Sequence, residues 1–332
     1  MGQIALIYGS VFVYWQSILL VLAVSIAVCL YLSLYLSDRK NAVAAMLSVP
    51  MAVILSMVLA RLVHWYCWAD QYESLTAALT NFRSGGYALV GAFAGCALAA
   101  CLLRIVRISG NLPQMLDCMA IAGSAGIAVG RLGGFFHSED RGMVVTKLTK
   151  LPWAWPVTNP VSGAEEMRLA TFFLQVLVAG VLFAVLLMIW LVYRKRKDFP
   201  DGDICLIFLL CYGASQVLLD STRYDSLYFR SNGFVSIVQV LSACAIGLAA
   251  ILFSVRLVQE QGWKRWYLAL WALLAGLIGL AGYMEYFVQR WSRKIVLGYS
   301  VMTAALAAVI AVILAIRFLA QRPGGLSYDS KR

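Results

Sequence analysis

Long apolar runs, broken at intervals by short clusters of charge, set the pattern of this chain. The runs at 11–36, 43–66, 86–103, 112–130, 169–192, 204–220, 234–255, 266–284 and 296–316 each come close to the about 20 residues a helix needs to cross a bilayer. They predict an all-α polytopic membrane protein of nine spans. The spans at 112–130 and 204–220 are the weakest, because Asp117 and Asp220 interrupt them. Residues 137–168 form the longest polar connection. Pro152, Pro156 and Pro160 keep it from being one continuous helix, which predicts a cap of short helices or turns.

Composition agrees with the pattern and narrows the compartment. Hydrophobic residues make up 62% of the 332 and charged residues 13%, with a mean hydropathy of +0.81. No soluble domain of this length has that balance. The charge of +11 is explained by where it falls. With the N-terminus outside, the inner connections hold 15 of the 27 basic residues, among them Arg194, Lys195, Arg196 and Lys197 in one run. The outer connections are longer and hold fewer, so the positive-inside rule predicts N-terminus out and C-terminus in. A nucleic-acid partner would need a basic face on a soluble module, and the pattern leaves no such module. The N-terminus has neither a basic run nor a small-residue cleavage site, so the first apolar run reads as a retained span. Seven of the eight cysteines lie inside apolar runs without metal or disulfide spacing.

The polar residues that remain gather at the outer ends of the spans. Arg61, Arg83, Arg168, Asp220, Arg223 and Asp225 fall there, together with the segment Gly130-Arg131-Leu132-Gly133-Gly134-Phe135-Phe136-His137-Ser138-Glu139-Asp140-Arg141-Gly142. Charge at membrane depth costs roughly 2.5 to 3.5 kcal/mol by insertion scales and is kept for a partner, a cavity or a ligand. The placement argues for a site reached from the outer leaflet. A transporter would put such residues near the midplane on related halves, and a voltage sensor would repeat arginine along one span. Each residue also has a plainer reading. His64 beside Trp65 reads as an interfacial residue, His137 as a loop histidine, Asp220 as a helical partner of Arg223, and Asp117 as the marker of a helix end. Gly91 and Gly95, and Gly126 and Gly130, have the four-residue spacing that lets membrane helices approach closely.

The 130–142 segment resembles the best-known motif of the prolipoprotein diacylglyceryl transferases, Gly-Arg-x-Gly-Asn-Phe-x-Asn-x-Glu-x-x-Gly, with Gly130, Arg131, Gly133, Phe135, Glu139 and Gly142 in register. The resemblance continues through Leu59-Ala-Arg61-Leu, Gly85-Gly86, Leu151-Pro152-Trp153, Arg223-Tyr-Asp225-Ser226-Leu227 and Gln239-Val-Leu-Ser242, in the family's order, over roughly residues 8 to 256. It implies a seven-span bundle over 1–256 with an outer cap at 137–168. A two-helix segment at 257–321 would follow, and then a disordered cytoplasmic tail at 322–332. It also implies a multi-pass enzyme of the bacterial inner membrane that moves diacylglyceryl from phosphatidylglycerol, or a similar anionic lipid, to the lipobox cysteine of a prolipoprotein signal peptide. No cofactor is implied.

That chemistry assigns roles to the polar residues. Displacing glycerol phosphate requires cations on the phosphate, and the planar arginine fork suits its oxygens, so Arg131 is expected to bind it. Glu139 would orient Arg131 or bond the lipid's hydroxyls, with Gly133 and Gly134 lining the approach. Arg61 is a further lipid contact, and Arg223 with Asp225 would close the outer mouth. Tyr212, Gln216 and Asp220 recur at four-residue spacing on one helical face. The attacking thiol must lose its proton. The family's histidine and second arginine are here Val90 and Gln216. Two expectations follow: a transferase in which His137 accepts the proton, or a paralogue that binds lipid or lipoprotein without the transfer.

Overall fold

The computed structural model describes residues 4–8, 11–37, 41–81, 85–108, 111–137, 141–145, 153–159, 162–193, 199–230, 232–290 and 294–321. Helix dominates. In chain order the helices are α1 (Trp15–Leu36), α2 (Ala42–Cys67), α3 (Leu75–Thr80), α4 (Leu89–Ile105), α5 (Leu112–Arg131), α6 (Thr171–Tyr193), α7 (Asp203–Ser221), α8 (Ile237–Gln261), α9 (Tyr267–Arg290) and α10 (Ile295–Ala320). Among the described residues eight helices are long and apolar enough to cross a membrane, and the 17-residue α4 is a shorter apolar helix. Each of the nine apolar runs has its helix. The 322–332 tail lies outside the described residues.

Strands appear where the sequence pattern predicted none. β1 (Ile4–Tyr8) pairs with β2 (Val11–Tyr14), β3 (Ala154–Thr158) with β4 (Glu165–Leu169), and β5 (Tyr228–Phe229) with β6 (Asn232–Ser236), all antiparallel. The first span therefore starts at Trp15 instead of residue 11, and the seventh at Ile237 instead of 234. In the expected cap, Ala154–Thr158 and Glu165–Leu169 pair as strands instead of forming short helices, and 138–140, 146–152 and 160–161 lie outside the described residues. The strand pair is closed by Asn159 N–H donating to the Ala164 carbonyl at 2.8 Å and Gly163 N–H to the Asn159 carbonyl at 2.9 Å, with Gly163 at φ +69°. The prolines excluded a continuous helix as expected; Pro156 sits within a two-stranded ribbon, where a missing N–H is tolerated.

The chain forms two compact units. The first comprises 1–208 and 222–241, the second 209–221 and 242–332. In the first unit small residues bring helices together. A Cβ on Gly91 would collide with the Leu59 carbonyl and Ala60 of α2, and one on Gly95 with the backbone of Ser56. The Ser56 hydroxyl donates to the Ala92 carbonyl at 2.8 Å across the same seam. Gly126 packs α5 on α1, where a Cβ would stand 3.1 Å from that of Ala27. This is how membrane helices associate without a hydrophobic driving force between them.

Asp117 does not mark a helix end of its own. It lies in the second turn of α5, buried, and accepts from the N–H groups of Gly202 and Cys205, both at 2.7 Å. It thereby caps the start of α7, satisfying donors that a helix N-terminus leaves orphaned. In the second unit α9 packs on α10, with Gly298 against Val288. The Tyr299 hydroxyl reaches the Ser221 carbonyl at 3.2 Å.

Candidate functional site

The motif loop of the first unit is built around Arg141. After α5 closes at Arg131, residues Leu132–Phe135 make one 3-10 turn and the chain reverses. Arg141, 4% exposed, donates from one guanidinium nitrogen to the carbonyls of Gly134 at 2.6 Å and His137 at 2.7 Å. Its charge lies 4.6 Å from the Phe172 ring centre and 5.8 Å from that of Trp155, an attractive placement for a cation. Gly134 has no room for a side chain, since a Cβ would be 2.5 Å from the Phe172 ring. Gly133 packs on Gln16, and Phe136 stacks on Trp15 at 5.4 Å. The starts of α1 and α6 are thus held beside the end of α5.

From Arg141 the chain runs as an extended ribbon between two neighbours. Gly142 N–H donates to the Leu169 carbonyl at 2.8 Å and Leu169 N–H to the Met143 carbonyl at 3.0 Å. On the other edge, Met143 N–H donates to the Thr222 carbonyl at 2.9 Å and Tyr224 N–H to the Arg141 carbonyl at 3.0 Å. This pairing is what brings Arg223 and Asp225 to the motif, over 80 residues away in sequence. Arg223 donates from Nε and a terminal nitrogen to one Asp225 oxygen at 3.1 and 3.0 Å. Arg168 bonds Glu166 at 3.0 Å and covers the Tyr224 ring at 4.4 Å. The Asn159 amide, donating at 2.6 Å, and Arg168 together hold the Glu166 carboxyl below the usual glutamate range.

A second polar cluster of the same unit lies at the end of α2. Arg61 is 1% exposed. It donates from Nε to the Ala78 carbonyl at 2.5 Å and from its two terminal nitrogens to Gly86 at 2.9 Å and Asn81 at 2.6 Å. The rings of Tyr72 and Tyr87 lie 5.0 and 5.2 Å from its charge. One turn further on, His64 Nδ1 shares a 2.8 Å hydrogen bond with the Tyr72 hydroxyl. Gly86, at φ +79°, passes so close that a Cβ would meet the His64 ring and the Tyr72 hydroxyl, each at 2.6 Å. Beyond it, Arg230 donates to the carbonyls of Tyr66 at 2.6 Å and Trp65 at 3.3 Å. The loop after β5 is thereby tied to the end of α2.

The first unit therefore assembles Arg131, Gly133, Gly134, His137, Arg223 and Asp225 around one loop, and Arg61 at the end of α2. Tyr212, Gln216 and Asp220 belong to the second unit, all buried on one face of α7. Glu139 lies outside the described residues. Sequence reasoning did not anticipate the hydrogen bond between Tyr72 and His64, read as an interfacial residue, or the pinning role of Arg141. Among the described residues no group of three or more potential ligands could hold a metal ion.

Fold and composition together define a multi-pass, all-α membrane protein. The family model for prolipoprotein diacylglyceryl transferase matches residues 3–256. The chain belongs to that family. A phosphatidylglycerol–prolipoprotein diacylglyceryl transferase of Parasynechococcus marenigrum is 28% identical over 265 residues, covering 75% of this chain and 92% of its own length. One from Streptococcus pyogenes is 25% identical over 270 residues, with 79% and 97% covered. Residues 257–332, which include α9 and α10, extend beyond the matched segment.

Proposed function

We propose that this chain transfers diacylglyceryl from phosphatidylglycerol to the cysteine thiol of a prolipoprotein signal peptide, from the outer face of a bacterial inner membrane, with its N-terminus out and C-terminus in. The observation that carries the reading is the motif of 130–142 in family register inside a match spanning 3–256. Within that loop the two arginines have different tasks. Arg141 is buried and turned to two backbone carbonyls. Arg131, half-buried at the end of α5, is assigned the lipid phosphate, where it offsets the charge that grows on the leaving glycerol phosphate. Arg223, with its charge shared by Asp225, guards the mouth beside it, and Glu139 orients Arg131. Tyr212, Gln216 and Asp220 are assigned to the lipid. Arg61 acts by fixing the connection above α2. The thiol's proton needs an acceptor of near-neutral affinity. The chain has two histidines, and motif register points to His137. No cofactor is required.

The test uses the full chain in phosphatidylglycerol vesicles with a lipobox peptide, reading the mass of the peptide. Wild type is expected to convert it, and Arg131→Ala to lower the rate by about 100-fold or more, as loss of a transition-state donor does. A second reading, a paralogue that binds lipid or lipoprotein without transfer, is favoured by Val90 and Gln216. Peptide bound but never converted would establish it.

A further inference from the structure

The turn from α8 into α9, within the second unit, leaves an apolar groove. Ala250, Ser254, Val255 and Val258 share one face of α8, and Trp271 and Leu274 of α9 stand across from them around a cavity of about 490 Å³, within the range of ligand clefts. The Trp271 indole N–H donates to the Ser254 hydroxyl at 3.1 Å, so these two polar groups of the wall satisfy each other. Trp271 and Leu274 lie beyond residues 3–256, the segment that the family model matches. The groove exists only because the chain continues past that segment.

The turn end of the groove carries charge and exposed aromatic rings. Between 254 and 274 the charged residues are Arg256, Lys264 and Arg265 against the single acid Glu260. Lys264 and Arg265 are exposed. Their carbonyls accept from the N–H groups of Tyr267 and Leu268 at 3.0 and 3.2 Å, which fixes both residues at the first turn of α9. Trp263, 58% exposed, packs on Trp271 at 5.4 Å, and Trp266, 47% exposed, meets Tyr267 at 4.5 Å. Exposed tryptophan rings beside basic residues at the end of a span lie at headgroup level.

We propose that this groove holds one acyl chain of an anionic phospholipid, whose phosphate rests on Lys264 and Arg265. Length fits the chain: from Val258 back to Ala250 the groove runs about 12 Å along α8 at 1.5 Å per residue, against about 15 Å for the hydrocarbon of one leaflet. Chemistry fits the two ends, an apolar wall for the tail and clustered cations for the headgroup, as in basic pockets between membrane helices. A second copy of the chain seated on the same face, about a two-fold axis along the membrane normal, would set these cations against themselves. A lipid neutralises them. Its occupancy does not depend on transfer.

The experiment places the full chain, without peptide, in phosphatidylcholine vesicles that carry a trace of either phosphatidylglycerol or phosphatidylcholine with a photoreactive acyl chain, and maps the labelled peptides by mass. In the wild type, labelling within 250–274 by phosphatidylglycerol is expected to exceed that by phosphatidylcholine about fivefold or more, the discrimination that one surface cation provides. Lys264→Gln combined with Arg265→Gln should bring the ratio to within about twofold of one, with both lipids still labelling the groove. Salt of about 1 M should do the same to the wild type, since the screening length falls to about 3 Å, so the charge arm does not hang on the variant's folding. Val258→Trp, which fills the groove, should lower labelling of Trp271 and Leu274 by both lipids. Equal labelling by the two lipids in the wild type means hydrocarbon contact only and overturns the proposal. Labelling that leaves 250–274 untouched, the result expected where a second copy covers the face, overturns it too. So does a preference that survives both the double substitution and high salt.

Discussion

Two parts of the first unit, 72–81 with 85–88 beside α2 and 130–137 with 141–145 after α5, are each held by a buried arginine, and they differ in where that arginine comes from. Arg141 belongs to its own loop and reaches carbonyls seven and four residues back. Arg61 stands on a helix and reaches carbonyls 17, 20 and 25 residues ahead. Each guanidinium is set against aromatic rings, Phe172 and Trp155 in one case, Tyr72 and Tyr87 in the other. An arginine near a membrane surface is commonly read as a headgroup contact. Here burial and fixed acceptors make two of them pins. The local pin closes a short loop that a motif can encode. The distant pin makes the shape of its connection depend on the helix beneath.

The largest expected effect comes from breaking the distant pin. Arg61→Met removes a charged donor from three carbonyls, that of Ala78 buried and those of Asn81 and Gly86 part-buried, and bonds to charged groups contribute about 1.5 to 3 kcal/mol each. Thermal unfolding in detergent should show a loss of about 4 kcal/mol or more, with Arg141→Met, which frees two carbonyls, costing less. Equal costs would erase the distinction between the two pins. Overpacking comes next. Gly134→Ala forces a methyl into the Phe172 ring and should cost about 1 to 3 kcal/mol. Gly130→Ala, whose new Cβ would sit at an ordinary 3.5 Å from that of Ala23, should cost much less. The smallest effect is electrostatic and confined to the β3–β4 hairpin. The Asn159 and Arg168 hydrogen bonds depress the Glu166 pKa, so the stability they supply is present at neutral pH. It is lost as pH falls through the folded-state value, below the usual 4.5. The difference in unfolding midpoint between wild type and Glu166→Gln should therefore shrink to nothing between pH 7 and pH 3.

The nine apolar runs were legible because lipid imposes one rule, that every backbone polar group be satisfied within its own segment, and helices meet it. Boundaries were legible only where that rule applies. Outside the apolar runs, Ile4–Tyr8 pairs with Val11–Tyr14 and Tyr228–Phe229 with Asn232–Ser236, and the ends of the first and seventh spans moved accordingly. The 153–169 stretch shows the same limit: three prolines ruled out a helix but did not select a hairpin. Asp117 was visible as an interruption, yet its purpose, capping a helix that starts 86 residues later, depends on packing alone.

The sequence by itself determined the solvent of this protein, its class and its family. Apolar length and a thirteen-residue motif are both local properties that survive in a string of letters. Only the tertiary structure decided which arginines are pins, and how Arg223 comes to lie beside a loop it follows by more than 80 residues. Those outcomes turn on hydrogen bonds whose two ends lie far apart in the chain. A buried donor takes whichever acceptor the fold brings within reach, and no spacing rule records that choice.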